Sequence, residues 1–284
     1  MNIGIIGAGC IGSSLARDIK EKNLGTVFIS DQNLEYLEIC EKTNLADRCF
    51  SDSQELAQEC DIIFVCVPVI SIPNVIKSIA PHTKPGTIIT DVGSVKSSIM
   101  EEVKAYIPDT TYFVPGHPIT SGTIEVGPEA GREGVFEDVT YILTPWSDTP
   151  DDAVQKLSDL VQKLGSNIVV LDADKHDTLL GFTSHLSHVV AFSVMNSAAK
   201  LTDRLNEDVT EFAGGSFKDL TRVAASDVEM WRDIFLSNKK HIKSLYQLLV
   251  EEMNQLNELI ESDDKEGLEA FIRKASDLRR NSFQ

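Results

Sequence analysis

Positive charge is scarce in this chain. Its 284 residues carry 26 Lys and Arg against 44 Asp and Glu, a formal net charge of −18. A surface of that sign repels nucleic-acid phosphates and anionic headgroups, so neither nucleic acid nor membrane is an expected partner. Cysteine is scarce too. Cys10, Cys40, Cys49, Cys60 and Cys66 all fall in the first 66 positions, their number is odd, and no C-x-x-C occurs. That excludes a disulfide or zinc framework and fits reduced, buried thiols in a cytoplasmic protein. No signal segment precedes the first apolar run, and no apolar run reads as a membrane span. Internal repeats and low-complexity tracts are lacking as well. What is present, 42% hydrophobic and 25% charged residues, is enough for a sizeable core in a soluble globular chain of two domains or one large one.

The first fourteen residues, MNIGIIGAGCIGSS, organise the rest. Asn2 to Ile6 reads as a buried strand. Gly7, Gly9 and Gly12 follow in G-x-G-x-x-G spacing, and a helical pattern begins after Ser13. Strand, glycine turn and helix are the context a dinucleotide fingerprint requires, because the helix N-terminus offers free N–H groups to phosphate. Thr26 to Ser30 then forms a second strand ending at Asp31, nineteen residues past Gly12, where a carboxylate can accept from ribose hydroxyls. No Arg or Lys follows Asp31 before Lys42, so the spacing favours NAD, with NADP the less suitable cofactor. The residues expected to touch it are Gly7, Gly9, Cys10, Ile11, Gly12, Asp31, Val67 and Asp91.

Strands and helices alternate onward. Asp61 to Val67 is a continuous apolar run, typical of a strand covered on both faces. Further strands are expected at Thr87–Thr90, Tyr112–Val114, Thr140–Thr144 and Asn167–Leu171, with helices at Asn33–Thr43, Ile70–Ala80 and Asp151–Leu164. This is the pattern of an α/β fold, a Rossmann-type doubly wound sheet over residues 1–172. Beyond Asp172 only helical patterns follow, giving an all-α domain over 173–284. Its first helix, Asp174 to Lys200, is apolar on more than one side, so a homodimer built on this domain is expected.

Three polar sets fall at strand ends, where ligands of open α/β sheets bind. They are the glycine turn, Asp91 to Lys96, and His117, which is set directly after a strand and before Pro118. A neutral imidazole there can take a hydroxyl proton as hydride leaves. The helical part adds S-H-L-S-H, with Ser184, His185 and His188, and later Arg222, which can hold a carboxylate bidentately, with Asp219 placed to orient it. Two His three apart with no third ligand do not make a metal site. Asp227 reads as an N-cap and Trp231 as core packing.

The order GAGCIGSS, DVGSVK, GHPI…G, SHLSH and GGSFKDLTRVAASDVEMWRD resembles the prephenate and arogenate dehydrogenase family of tyrosine biosynthesis over nearly the whole chain. The resemblance implies a Rossmann domain followed by a helical dimerisation domain. It also implies NAD-dependent oxidation of a ring carbinol with loss of the ring carboxylate as carbon dioxide. On matching positions it implies that His117 accepts the hydroxyl proton and that Ser94 orients the hydroxyl and the histidine. His188, Arg222, Thr123 and Ser184 are then the substrate-binding positions. The chain departs from the family pattern at Ser187, where proline is usual, and in HPITSG, one residue longer than HPIAG before Gly122. Other readings are a β-hydroxyacid-type dehydrogenase, which would need a catalytic lysine on the interdomain helix, and a non-catalytic dinucleotide-binding redox sensor, which would need neither His117 nor Arg222.

Overall fold

The computed structural model describes residues 1–120 and 127–282. Gly122 and Thr123 therefore lie outside the described residues. By packing, the described chain falls into two compact units, Met1–Asn238 and a second that begins at Lys239.

The first unit is built on a six-stranded parallel sheet in the order β3-β2-β1-β4-β5-β6. The strands are β1 (Asn2–Ile6), β2 (Thr26–Ser30), β3 (Arg48–Phe50), β4 (Ile62–Val65), β5 (Ile88–Asp91) and β6 (Tyr112–Phe113). Helices α1 (Cys10–Glu21), α2 (Leu34–Lys42), α3 (Ser53–Glu59), α4 (Ile72–Ile79) and α5 (Ser97–Val103) connect them. Successive side chains of a strand point to opposite faces, and both faces are covered here. Ile3, Ile5, Ile62 and Phe64 pack with Leu15 and Ile19 of α1. Ile6, Ile63 and Val65 pack on the other face with Ile72 and Ile76 of α4. The doubly wound sheet is thus as expected, with the short strand β3 added.

The next strands depart from the expectation. Gly116–Pro118 (β7), Thr140–Leu143 (β8) and Asn167–Val170 (β9) form a separate three-stranded sheet, β7 antiparallel and β9 parallel to β8. His117 is therefore not beyond a strand but inside one, opposite Ile142. Helix α6 (Asp151–Lys163) covers this sheet, with Leu157, Leu160 and Val161 in the same core as β1.

β9 is the last strand among the described residues. The expected long helix is present but interrupted: α7 (Ala173–Leu180), a π turn (Gly181–His185) and α8 (Leu186–Leu205) run on from one another. By length and composition this segment could cross a membrane, with mean hydropathy 1.3 in its richest window, which corrects the expectation that no run approaches that length. Much of its apolar surface is exposed, including Phe182, Leu201 and Leu205. After α9 (Gly215–Thr221), helix α10 (Val228–Ser237) puts Trp231 and Ile234 into the β4–α4 core. Asp227 caps α10 by accepting from the Met230 N–H at 2.7 Å, as expected.

The second unit consists of α11 (Lys239–Glu261) and α12 (Lys265–Ser282), with Asp264 accepting from the Gly267 N–H at 2.9 Å to start α12. Leu248, Met253 and Ile260 of α11 and Ile272 and Leu278 of α12 are exposed.

Candidate active site

The candidate residues sit on several of the elements above. The first is the turn after β1. Gly7 has φ +103°, a conformation that L side chains rarely adopt. A Cβ on Gly12 would lie 2.0 Å from the Gly7 carbonyl oxygen, so only glycine lets α1 approach. A Cβ on Gly9, by contrast, would meet nothing within 4 Å. That open space beside the α1 N-terminus is what a pyrophosphate needs, and the residues fit a bound dinucleotide. Cys10 and Ile11 follow in the first turn of α1 and are half-buried, and Cys10 Sγ donates to the Ala130 carbonyl at 3.4 Å. Val67, just past β4, is half-buried against Gly7.

Asp31, at the end of β2, has two backbone partners. Its carboxylate accepts from the Ala8 N–H at 2.7 Å and from the Asn33 N–H at 2.8 Å. The first bond ties the acid to the glycine turn itself, and the carboxylate stays partly exposed with lone pairs to spare.

Asp91 is placed differently from its expected cofactor role. It is fully buried, and its carboxylate takes Lys96 Nζ and the Gly93 N–H. Lys96 is itself fully buried and also donates to the Gly116 carbonyl at 2.7 Å. Burial pulls the Lys96 ammonium below its ordinary value and the Asp91 charge opposes that. Removing either partner would strand a buried charge, at a cost of about 3–5 kcal/mol. The pair acts as a clamp on the residue immediately before His117. Ser94 lies on the same loop, half-buried, and among the described residues its hydroxyl has no partner.

His117 Nδ1 is 2.9 Å from His176 Nε2. His176 Nδ1 is 2.8 Å from Asp177 Oδ1, and Asp177 also accepts the N–H groups of Lys96 and Ser97, each at 2.8 Å. Burial, followed by the neighbouring His176, Lys96 and His185, holds His117 well below the usual imidazole range. Sequence reasoning missed His176 and Asp177. They sit 59 and 60 positions past His117, and only the α7 start against β7 and α5 brings them there.

The helical candidates gather around Trp231. The His188 ring stacks on the indole, centroids 3.4 Å apart, and His188 Nδ1 donates to the Ser184 carbonyl at 2.9 Å. His185 is fully buried, accepts from Asn238 at 3.0 Å and lies edge-on to Trp231. His185 Nε2 and Trp231 Nε1 are buried without a partner among the described residues. Burial lowers His188, helped by the charge of Arg222 and opposed by the Ser184 bond. Arg222 is exposed, and among the described residues no carboxylate pairs with it, Asp219 included. The Ser187 hydroxyl donates to the Thr183 carbonyl at 3.3 Å, and the π turn Gly181–His185 is present with serine at position 187. No group of three or more potential metal ligands occurs among the described residues.

Two family models span the chain: the nucleotide-binding domain of prephenate dehydrogenase matches residues 15–170 and its dimerisation domain residues 172–274. The chain is 33% identical to the cyclohexadienyl dehydrogenase of Zymomonas mobilis over 279 residues, 98% of this chain and 94% of that one. Its fold is similar to that of prephenate dehydrogenase from Aquifex aeolicus, solved with hydroxyphenyl propionate and NAD+, with a TM-score of 0.92 at 27% identity over 99% and 98% of the two chains. Synechocystis arogenate dehydrogenase gives 0.86 at 27% identity over 99% of each. The chain therefore belongs to the prephenate dehydrogenase family, oxidoreductases that carry out NAD-dependent oxidative decarboxylation in tyrosine biosynthesis.

Proposed function

We propose that this chain oxidises and decarboxylates prephenate, arogenate or both, with NAD rather than NADP as oxidant and His117 as general base. Residues 1–172 hold the cofactor and residues 173–284 bind substrate and dimerise; the free thiols, buried at Cys40 and Cys60 and half-buried at Cys10, Cys49 and Cys66, fit a cytoplasmic setting. One observation carries the reading. His117 is tied through Nδ1, half-exposed, and among the described residues its Nε2 has no partner. A nitrogen so presented can take the proton of the ring hydroxyl.

Bound NAD supplies the hydride acceptor. The Gly9 opening and α1 N-terminus receive its pyrophosphate, and Asp31 receives its ribose hydroxyls. Ser94, with a free hydroxyl on the Asp91–Lys96 loop, orients the substrate hydroxyl toward His117. Arg222 and His188 take the carboxylates, giving a locally basic site in a chain of net charge −18. Thr123 and Ser184 complete the proposed substrate contacts. Aromatisation drives loss of carbon dioxide, so the ring oxygen regains its proton from His117 and the chain retains none.

His117→Asn is expected to lower kcat ~100-fold or more with substrate KM little changed. Carbon dioxide release from prephenate and from arogenate, each with NAD, reads the reaction directly. A wild-type kcat in the variant, or no carbon dioxide from either substrate, overturns the proposal.

A further inference from the structure

The chain His117–His176–Asp177 has a direction, and the hydrogen bonds settle it. The Asp177 carboxylate accepts from two backbone N–H groups, Lys96 and Ser97, as well as from His176. Burial alone would raise its pKa, but the bonds from His176, Lys96 and Ser97 outweigh that and lower it. An ionised carboxylate only accepts, so His176 carries its proton on Nδ1. A neutral His176 then has a bare Nε2, which also only accepts. His117 must therefore carry its proton on Nδ1, which leaves its Nε2 bare. Burial disfavours the cationic form of both rings. The other charged or titratable groups near the pair are Lys96 with Asp91, from β5 and the loop after it, and His185 from the π turn.

We propose that His176 and Asp177 are positioning residues for the reaction, fixing His117 as the Nδ1–H tautomer and sharing the charge it gains. This rests on the reading of His117 as base. When the ring hydroxyl proton moves to His117 Nε2, the Nδ1 proton is held against His176 Nε2, and His176 Nδ1–H is held against Asp177. NAD, when bound, would accept the hydride from the same ring carbon. As the ring carboxylate leaves as carbon dioxide, its bonding pair flows to the ring oxygen, which takes the proton back from His117. The proton moved through this chain is thus lent and returned.

Two substitutions separate tautomer from charge. His176→Leu removes the acceptor. His176→Gln keeps an acceptor at similar reach but cuts the path to Asp177. We expect kcat to fall ~100-fold for His176→Leu and ~10-fold for His176→Gln, with KM within about two-fold of wild type. The acid limb of the kcat profile should move to lower pH in His176→Leu: neutral His176 accepts from the His117 imidazolium through Nε2, and the repulsion by which His176 lowers His117 acts only when His176 is itself charged, a form that burial disfavours. Nitrogen-15 NMR of histidine-labelled wild type should place the His117 proton on Nδ1. A proton on Nε2 there would overturn the relay even if both variants misfold. So would unchanged kcat in His176→Leu, or a fall with an unmoved acid limb. Failure of the base reading is separate: it would appear as wild-type kcat in His117→Asn, whereas failure of the relay alone leaves that variant inactive.

Discussion

At the scale of single residues, burial of histidine has a readable cost. His185 is pushed down to about 4 by burial in the fold, from an ordinary value of 6.5. The sign follows directly. Between those values the unfolded chain binds a proton that the native His185 does not, so stability rises with pH there and is lost on acidification. The full loss below both values is roughly 3 kcal/mol, from about 1.4 kcal/mol per pH unit. Urea unfolding at pH 7 and pH 5 should show the decline, and His185→Gln should reduce it; equal pH dependence in the two proteins would refute it. His188 makes a different prediction. Its Nδ1–H is spent on Ser184, so it can donate to a carboxylate through Nε2 only when protonated. Burial lowers that proton's pKa in the free chain. Substrate binding should therefore take up a proton, and KM should rise with pH by up to about ten-fold per unit above the free value. A KM that stays flat from pH 6 to 8 counts against His188 as a carboxylate ligand. Single residues were legible where a motif announced them, as with His117 and Asp227. Lys96 was in view within DVGSVK, but nothing local says that a lysine will be fully buried. His176 had no local sign, because its meaning lies in a contact across the fold.

At the scale of elements, the glycine turn and β2 act as one device. Asp31 holds the Ala8 N–H and is placed to read the ribose, with Gln32 and Asn33 following and no basic residue before Lys42. A 2′-phosphate would face that carboxylate. Two unit charges at ~4 Å repel by roughly 4 kcal/mol at an effective dielectric of ~20, less where water enters. Even about a third of this, ~1.4 kcal/mol, leaves NAD preferred by ~10-fold in kcat/KM. Asp31→Ser should raise NADP use and also loosen the turn, weakening NAD binding. Equal use of both cofactors by the wild type would show that Asp31 does not discriminate. This element was legible because strand, turn and helix are contiguous in sequence. β3 and β7 were not, since three residues carry too little periodicity to separate a strand from a loop.

At the scale of the whole molecule, exposed apolar surface is concentrated in the helical part. Leu201 and Leu205 of α8 and Leu248, Met253 and Ile260 of α11 are among the residues left uncovered in one chain. Two helices such as α11 and α12 cannot bury each other's apolar faces alone. We expect a dimer in solution, twice the 31.3 kDa chain mass by light scattering, with a Tm that rises with protein concentration. A stable monomer would refute it. The need for a partner was legible in α8, whose apolar residues encircle the helix. Which surface meets which was not, because pairing depends on shape across chains.

The π turn at Gly181–His185 sets an angular phase. His176 and His188 are twelve positions apart, and at 100° per residue an unbroken α-helix would leave them about 120° out of register. A π turn accommodates one extra residue without advancing the winding, so the separation counts as eleven steps, within about 20° of three full rotations. The bulge thus brings the ring that faces His117 and the ring that stacks on Trp231 to the same azimuth of a single rod. The site inherits its alignment from a counting irregularity in the backbone, and the usual proline at position 187 is not required to produce it.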